Sequence, residues 1–289
     1  MQHPNELARL VCRPALLKDT ADMLEVTRHI WDGHDYVPET WAKWLGDPEG
    51  FLAVAEYGGR VVGICMLESF SPREWYLAGL RVHPEMEGKG IASHLHAYIL
   101  DYWQHRHGQG IIRLATMNPK VKHLCDRTGF HQIGEFTIFT APCLTEEVDA
   151  FTPLTVDQAE TALQQAVNSP IFTWQSSMYG HDWWWSDPQL KYVLEAIQEG
   201  RAWKWCGDAG LLVTVDDEDD GTKYPTPEII GCSPADLNAL LLDYRRLAAK
   251  REYPYVGWIT SLHPELQPYL AAAGFKRAWD KEVVVYERK

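Results

Sequence analysis

The stretch Glu85-Met86-Glu87-Gly88-Lys89-Gly90-Ile91-Ala92 holds two glycines two positions apart. It lies where an apolar run, Trp75 to Val82, is closed by Pro84 and gives way to a long amphipathic run, Ile91 to Arg106. The first run reads as a strand. The second carries apolar side chains at 91, 95, 98, 99 and 102, which is helical spacing. Glycines at a strand-to-helix turn let backbone approach a ligand closely, and the N–H groups of the helix start point at it. The helix dipole adds partial positive charge. The chemistry that suits such a turn is anion binding, most naturally of a diphosphate. Backbone from Glu87 through Gly88, Lys89, Gly90 and Ile91 to Ala92 would hold it, with Lys89 and Arg81 as nearby cations.

The flanking elements must position that turn. Ahead of it the pattern predicts a strand near Leu10 to Arg13, a helix from Thr20 to His29 and a short helix from Glu39 to Leu45. Strands near Phe51 to Glu56 and Arg60 to Phe70 are split by Gly58-Gly59, a hairpin signal. Behind it come a strand from Ile111 to Met117 and a helix opened by Asn118-Pro119, with Pro at its first position. Gly129 ends that helix, and Phe130 leads a strand through Phe139.

The second half repeats this pattern at a constant offset. Pro119, Gly129 and Phe130 match Pro264, Gly274 and Phe275, and the run Val256 to Leu262 matches Ile111 to Met117. A tandem duplication is the reading, with domains 1–145 and 146–289 and a linker near Pro142 to Pro153. The second copy replaces Gly88-Lys89-Gly90 by Ser233-Pro234-Ala235, followed by Asp236. Ser233 as N-cap, Pro234 at the first position and a carboxylate in the first turn make a good helix start that repels a pyrophosphate. The acidic run Asp216 to Asp220 is expected to be a solvated loop.

The chain has 289 residues, 13 tryptophans and a net charge of −13. That charge disfavours nucleic acid, whose phosphates need a basic surface, and weakly favours amine substrates. No apolar run has the length of a membrane span, and the first twenty residues lack a signal-peptide core. Six scattered cysteines without a Cys-x-x-Cys pair point to reduced thiols in a cytoplasmic protein, with neither zinc nor disulfides.

The glycine turn resembles the pyrophosphate motif of the GCN5-related N-acetyltransferases (GNATs), [Arg/Gln]-x-x-Gly-x-[Gly/Ala]. Asn118, Val121, Leu124, Cys125, Gly129 and Phe130 follow the pattern of the family's next helix. Glu85 stands where the family has Arg or Gln, and Cys125 where it has Tyr. The resemblance implies a mixed-sheet α/β (α+β) fold in two tandem GNAT-like domains, the second degenerate. It also implies acetyl-CoA as co-substrate, a small-molecule amine as acceptor and no metal. Gly33-His34-Asp35-Tyr36-Val37-Pro38, Trp44 to Pro48, Leu67-Glu68-Ser69 and Gly79 to Val82 further resemble the histidine N-acetyltransferase family. The segment from Trp183 to Trp205, read as a helix between aromatic ends, is similar to the corresponding stretch there.

On that resemblance the backbones of Leu80 and Val82 run beside the pantetheine arm, and Asn118 contacts it. Many GNATs keep a base Glu on the neighbouring strand, where this chain has Ala78. The base candidate is therefore Glu68, on the strand face opposite Leu67 and Ser69. Cys125, in the tyrosine's place, is the acid candidate, since a thiol near pKa 8.5 suits a CoA thiolate. His34, Asp35, Tyr36 and Trp41 are acceptor-site candidates, and Arg28 or Arg81 could meet an acceptor carboxylate. Trp183 to Trp185 either wall that pocket or pack at an interface. Alternatives are a polyamine or aminoglycoside acceptor, or an acyl-CoA-binding protein without catalysis. A homodimer fits the reading equally well.

Overall fold

A computed structural model describes residues 10–147, 149–181 and 183–289. The chain divides into two units. Unit one runs to Leu114 and adds Arg127–Phe130 and Glu287–Lys289; unit two holds Ala115–Asp126 and His131–Tyr286.

Unit one carries β1 (Leu10–Pro14), α1 (Thr20–Thr27), α2 (Val37–Gly46), β2 (Phe51–Tyr57), β3 (Arg60–Ser71), β4 (Glu74–Val82), α3 (Ile91–Arg106) and the start of β5 (Ile111–Thr116). The strands lie in the order β1-β2-β3-β4-β5. The first four are antiparallel, and β5 runs parallel to β4. Gly58 and Gly59 both take positive φ and make the predicted hairpin between β2 and β3. Strand periodicity then sorts the core. Leu52, Val54, Ile64 and Met66 meet Met23, Val26, Trp41 and Trp44 of the first two helices. The opposite face takes α3: a Cβ on Gly63 would lie 3.1 Å from Ile91.

The β4–β5 ladder covers only Glu74 to Tyr76 against Ile111 to Arg113. A buried ion cluster sits there. Arg113 donates to Glu74, and its Nε and Nη2 donate to Glu287 at 3.1 and 2.9 Å. Charges this deep persist only when paired on all sides, so the cluster fixes where the two strands touch.

Unit two begins with the end of β5, followed by α4 (Pro119–Arg127, its last residue in unit one), β6 (His131–Pro142), β7 (Phe151–Pro153), α5 (Ala159–Val167) and α6 (Pro170–Trp174). Next come β8 (Tyr179–His181), β9 (Trp184–Ser186), α7 (Leu190–Gln198), β10 (Ala202–Trp205), β11 (Gly210–Asp219) and β12 (Thr222–Cys232). It closes with α8 (Leu237–Lys250), β13 (Tyr255–Ser261), α9 (Gln267–Ala272), β14 (Lys276–Arg277) and β15 (Val283–Arg288), whose last residues return to unit one. One sheet has the order β12-β11-β10-β7. Elsewhere β6 pairs with β13 from Phe136↔Ser261 to Pro142↔Tyr255.

These units do not follow a cut at 145. The last strand of the first sequence half, β6, pairs with β13 inside unit two, and the end of the last strand supplies Glu287 to Arg113 inside unit one.

Three local expectations change. The acidic run is not a loop. Asp216 to Asp219 end β11, where Asp216 and Asp217 accept from the hydroxyls of Tyr253 and Tyr224 at 2.7 and 2.8 Å. Ser233 does not cap α8 with its hydroxyl; it donates to Asp236 at 2.7 Å, and Asp236 takes the N-cap position. Trp185 packs in unit two's interior with Phe136, Met178, Val283 and Val285. No helix among the described residues is long and apolar enough to cross a membrane.

His96 of α3 is buried against Phe130, and its Nε2 lies 3.1 Å from the Thr128 hydroxyl. Burial pushes its pKa down to about 4, with Arg288 adding in the same direction. The unfolded chain takes up this proton near the ordinary value of about 6.5. Its contribution is therefore complete above that pH and is lost as pH falls towards 4, by about 3 kcal/mol at most. Denaturant unfolding at several pH values checks this. His96→Gln should flatten the loss between pH 6.5 and 4 relative to wild type, and an unchanged slope would contradict it.

Candidate active site

β4 is not a regular strand. Met66 faces Ala78 and Ile64 faces Arg81, so Gly79 and Leu80 together oppose Cys65 in a β-bulge. Gly79 sits at φ +62°, and a Cβ there would lie 2.8 Å from the Trp44 ring. Only glycine fits both constraints. The Gly79 N–H donates to the Tyr36 hydroxyl at 3.1 Å. Beyond Tyr76 the β4 backbone has left its β5 ladder, so Leu77 to Val82 present a strand edge to which an extended ligand arm can pair. Leu80 and Val82, both half-buried, lie on that edge.

Around the bulge, β3 and α2 supply the polar groups. Glu68 lies on the α1–α2 face, where the Trp44 indole N–H donates to its Oε1. Burial raises its carboxyl above the ordinary range, opposed by the Trp44 hydrogen bond and by Lys43. That makes it a stronger base than a solvated carboxylate. Tyr36 meets Trp44 edge-on at 6.0 Å. Burial also raises the Tyr36 phenol, against the pull of Arg81 and the Gly79 N–H, so the proton stays on oxygen. Asp35 is almost fully enclosed and saturated. Arg81 Nε and Nη2 donate to it at 2.8 and 3.0 Å, and the Val37 N–H donates at 3.3 Å. The Arg81 guanidinium lies over the rings of Trp31 and Tyr36, 5.0 and 5.3 Å from their centroids. Glu68, Trp44, Tyr36, Gly79, Asp35, Arg81 and Trp31 thus form one connected constellation.

The glycine turn lies at the end of the same strand. After Val82 a short 3₁₀ turn, Pro84–Met86, leads to Gly88 at φ +76° and Gly90 at φ +80°, the N-cap of α3. No side chain caps that helix. A Cβ on Gly88 would meet nothing within 4 Å, and residues 87 to 90 are exposed. The open face, two left-handed glycines and an uncapped sixteen-residue helix fit a diphosphate. Lys89 is at hand, and Arg127, 3.5 Å from the Ser93 hydroxyl, adds a cation beside the first turn.

The remaining candidates lie elsewhere. Trp41 and Trp44 are both buried in the core; the Trp41 N–H donates to Thr20 at 3.1 Å, whereas Trp44 packs against the bulge and donates to Glu68. His34 is exposed. Arg28 is held by Glu25 on the surface, and Arg81 is committed to Asp35, so neither offers an open guanidinium to a carboxylate. Asn118 is a helix-start residue of unit two, its Oδ1 accepting from the Lys120 N–H at 2.9 Å. Cys125 is fully buried in α4, and burial pushes its thiol up to about 12, which suits a packed small hydrophobe better than an acid. Trp31, Trp44 and Gly79 were not legible as site residues. One signal did exist: an isolated glycine inside a strand pattern marks a bulge or a close approach.

Residues 17–130 match the model of the acetyltransferase (GNAT) family. A histidine N-acetyltransferase of Xenopus tropicalis is 25% identical over 105 residues, 36% of this chain and 32% of that protein. The human probable N-acetyltransferase 16 is 29% identical over 99 residues, 34% of this chain and 27% of that one. The chain thus spans about a third of the length of the curated relatives it matches. Among solved structures, a GCN5-related N-acetyltransferase from Sphaerobacter thermophilus superposes with a TM-score of 0.63 at 12% identity, covering 99% of this chain and 96% of that one. A tandem GNAT protein from the clavulanic acid biosynthesis pathway gives 0.59 at 14% identity, covering 96% and 98%. Both likenesses are of fold. The family match falls on the segment that holds the bulge and the glycine turn, and the whole-chain likenesses show a GNAT fold.

Proposed function

We propose that the chain transfers an acetyl group from acetyl-CoA to the amine of a small molecule, with free histidine or a related amino acid the first acceptor to try. The observation that carries this is the uncapped glycine turn at the end of a bulged strand, with a half-buried carboxylate beside the bulge. The turn Glu87 to Ala92 would hold the pyrophosphate, and the free edge of β4 would carry the pantetheine arm. Acetyl-CoA, when bound, supplies an activated thioester. Glu68 takes the proton of the incoming ammonium, directly or through water, and its raised pKa suits that task. Tyr36 orients the amine, and Trp44 holds Glu68 in place. A thiolate of pKa near 8.5 leaves without a dedicated acid, so nothing here needs Cys125.

The duplication belongs to the same reading. Unit two runs β11, β12, α8, β13, α9 in the order of β3, β4, α3, β5, α4. Its β12 also bulges, at Glu228, where Val213 faces Ile229 and Thr214 faces Pro227. Asp236 at the start of α8 stands against a diphosphate, so one acetyl-CoA per chain is the proposal. The histidine acceptor is supported by the partial matches to histidine N-acetyltransferases, and a cytoplasmic location by the unpaired cysteines.

Thiol release from acetyl-CoA across a panel of amines tests the activity. L-histidine should outperform spermidine and kanamycin; polyamines ahead of every amino acid would leave only the broader assignment, and no release with any amine would favour an acyl-CoA-binding protein. Gly88→Asp should abolish acetyl-CoA binding in calorimetry, because it places a carboxylate where the diphosphate approaches. Wild-type affinity in that variant would remove the turn from the site.

Glu68 makes a separate prediction about pH. The wild-type rate should fall on acidification, as Glu68 protonates, with an apparent pKa above the ordinary carboxylate value of about 4.3. Glu68→Gln should cut turnover by about 10²-fold or more at neutral pH, with a loss that shrinks as pH rises and more amine is already neutral. An unchanged pH–rate profile would assign the proton to another group.

A further inference from the structure

Three consecutive residues ahead of α2 adopt the left-handed conformation: Trp31 at φ +47°, Asp32 at +56° and Gly33 at +93°. For the glycine this is free; for a tryptophan it is costly, and the ring is only partly buried in return. Trp31 leaves 56% of its surface exposed, the largest aromatic side chain so displayed among the described residues. The strained backbone holds a bulky apolar ring out in solvent, where a ligand can meet its face.

The surroundings fix where the ring points. It lies nearly parallel to Tyr36, with centroids 6.1 Å apart and planes 28° apart. Arg81, locked to Asp35 through two hydrogen bonds, presses its guanidinium against both rings. The second ring, Tyr36, is 38% exposed, while its hydroxyl meets the Gly79 N–H at the bulge. The result is a two-ring corner open to solvent on one side and joined to the bulge and to Glu68 through Trp44 on the other. The guanidinium is neutralised by Asp35, so the corner offers π-faces rather than net charge.

We propose that Trp31 is the specificity-determining residue for the acceptor: its exposed face stacks on a planar ring carried by the amine, and the Asp35–Arg81 pair is the positioning device that holds the indole there. The inference rests on the acetyl-transfer reading for the identity of the acceptor. It assigns the acceptor's side chain to Trp31 and leaves its amine to Tyr36 and Glu68. A stacked aromatic pair is worth about tenfold in affinity.

The test compares wild type, Trp31→Ala and Trp31→Phe. Each is measured for the KM and kcat of a ring-bearing acceptor (L-histidine) and an aliphatic one (L-lysine), and for L-histidine binding by calorimetry. Trp31→Ala should raise the L-histidine KM about tenfold while kcat changes much less, and the L-lysine KM should rise far less. Trp31→Phe should recover most of the loss, since a flat face remains. Equal shifts for the two acceptors, or a phenylalanine variant no better than alanine, would overturn the assignment. If no amine is acetylated, the catalytic reading fails. The calorimetry still decides this one: tenfold weaker L-histidine binding in Trp31→Ala upholds the stacking face, and unchanged or absent binding refutes it.

Discussion

The candidate site depends on one residue that has no side chain. Gly79 takes a left-handed conformation inside β4, and Trp44 occupies the space a Cβ would need. Each neighbour leans on that fact. Trp44 can reach Glu68 because it packs down onto the bulge; Tyr36 can sit at the strand because the Gly79 N–H is turned towards it; Arg81 reaches Asp35 from two residues further on. A bulge changes the direction of side chains by one register step, and here that step separates the strand edge beyond the β5 ladder from a cluster of polar groups beside it.

The bulge needs an anchored strand. Glu74, Arg113 and Glu287 hold β4 to β5 at the only place where the two strands pair, and the buried charges make that point hard to shift. Unit two shows the same strand geometry turned to another use. At its bulge stands Glu228 instead of a glycine, buried and engaged by Tyr179, His181 and Arg201. A carboxylate fully wrapped by its own unit fills the place that unit one leaves to Gly79. Ahead of α8 unit two has Ser233 and Ala235 rather than glycines, and this filled bulge likewise leaves no open backbone there.

Much of the fold was legible because it is written in local pattern. The hairpin at Gly58-Gly59, the helix from Ile91 to Arg106 and the helix opened by Pro119 lie where periodicity and turn chemistry put them. The backbone of the glycine turn was equally readable: Gly88 and Gly90 are both left-handed ahead of α3. What escaped depends on long-range contact. Nothing in the pattern separates Trp41 from Trp44, three residues apart on α2; one donates to Thr20 in the core and the other to Glu68. Asp35 reads as an open carboxylate until Arg81, far along the chain, is seen to saturate it. The division near 145 misses that β6 pairs with β13, because strand pairing across sequence halves leaves no trace in periodicity.

Amide hydrogen exchange with and without acetyl-CoA, read peptide by peptide, tests most directly whether one turn of one unit holds the ligand. Slowed exchange is expected along Leu80 to Val82, from the strand edge, and along Gly88 to His94, from the helix start, with residues 232 to 240 unchanged. Protection at residues 232 to 240, or none at Gly88 to His94, would contradict a single acetyl-CoA site built on the bulged strand and its glycine turn.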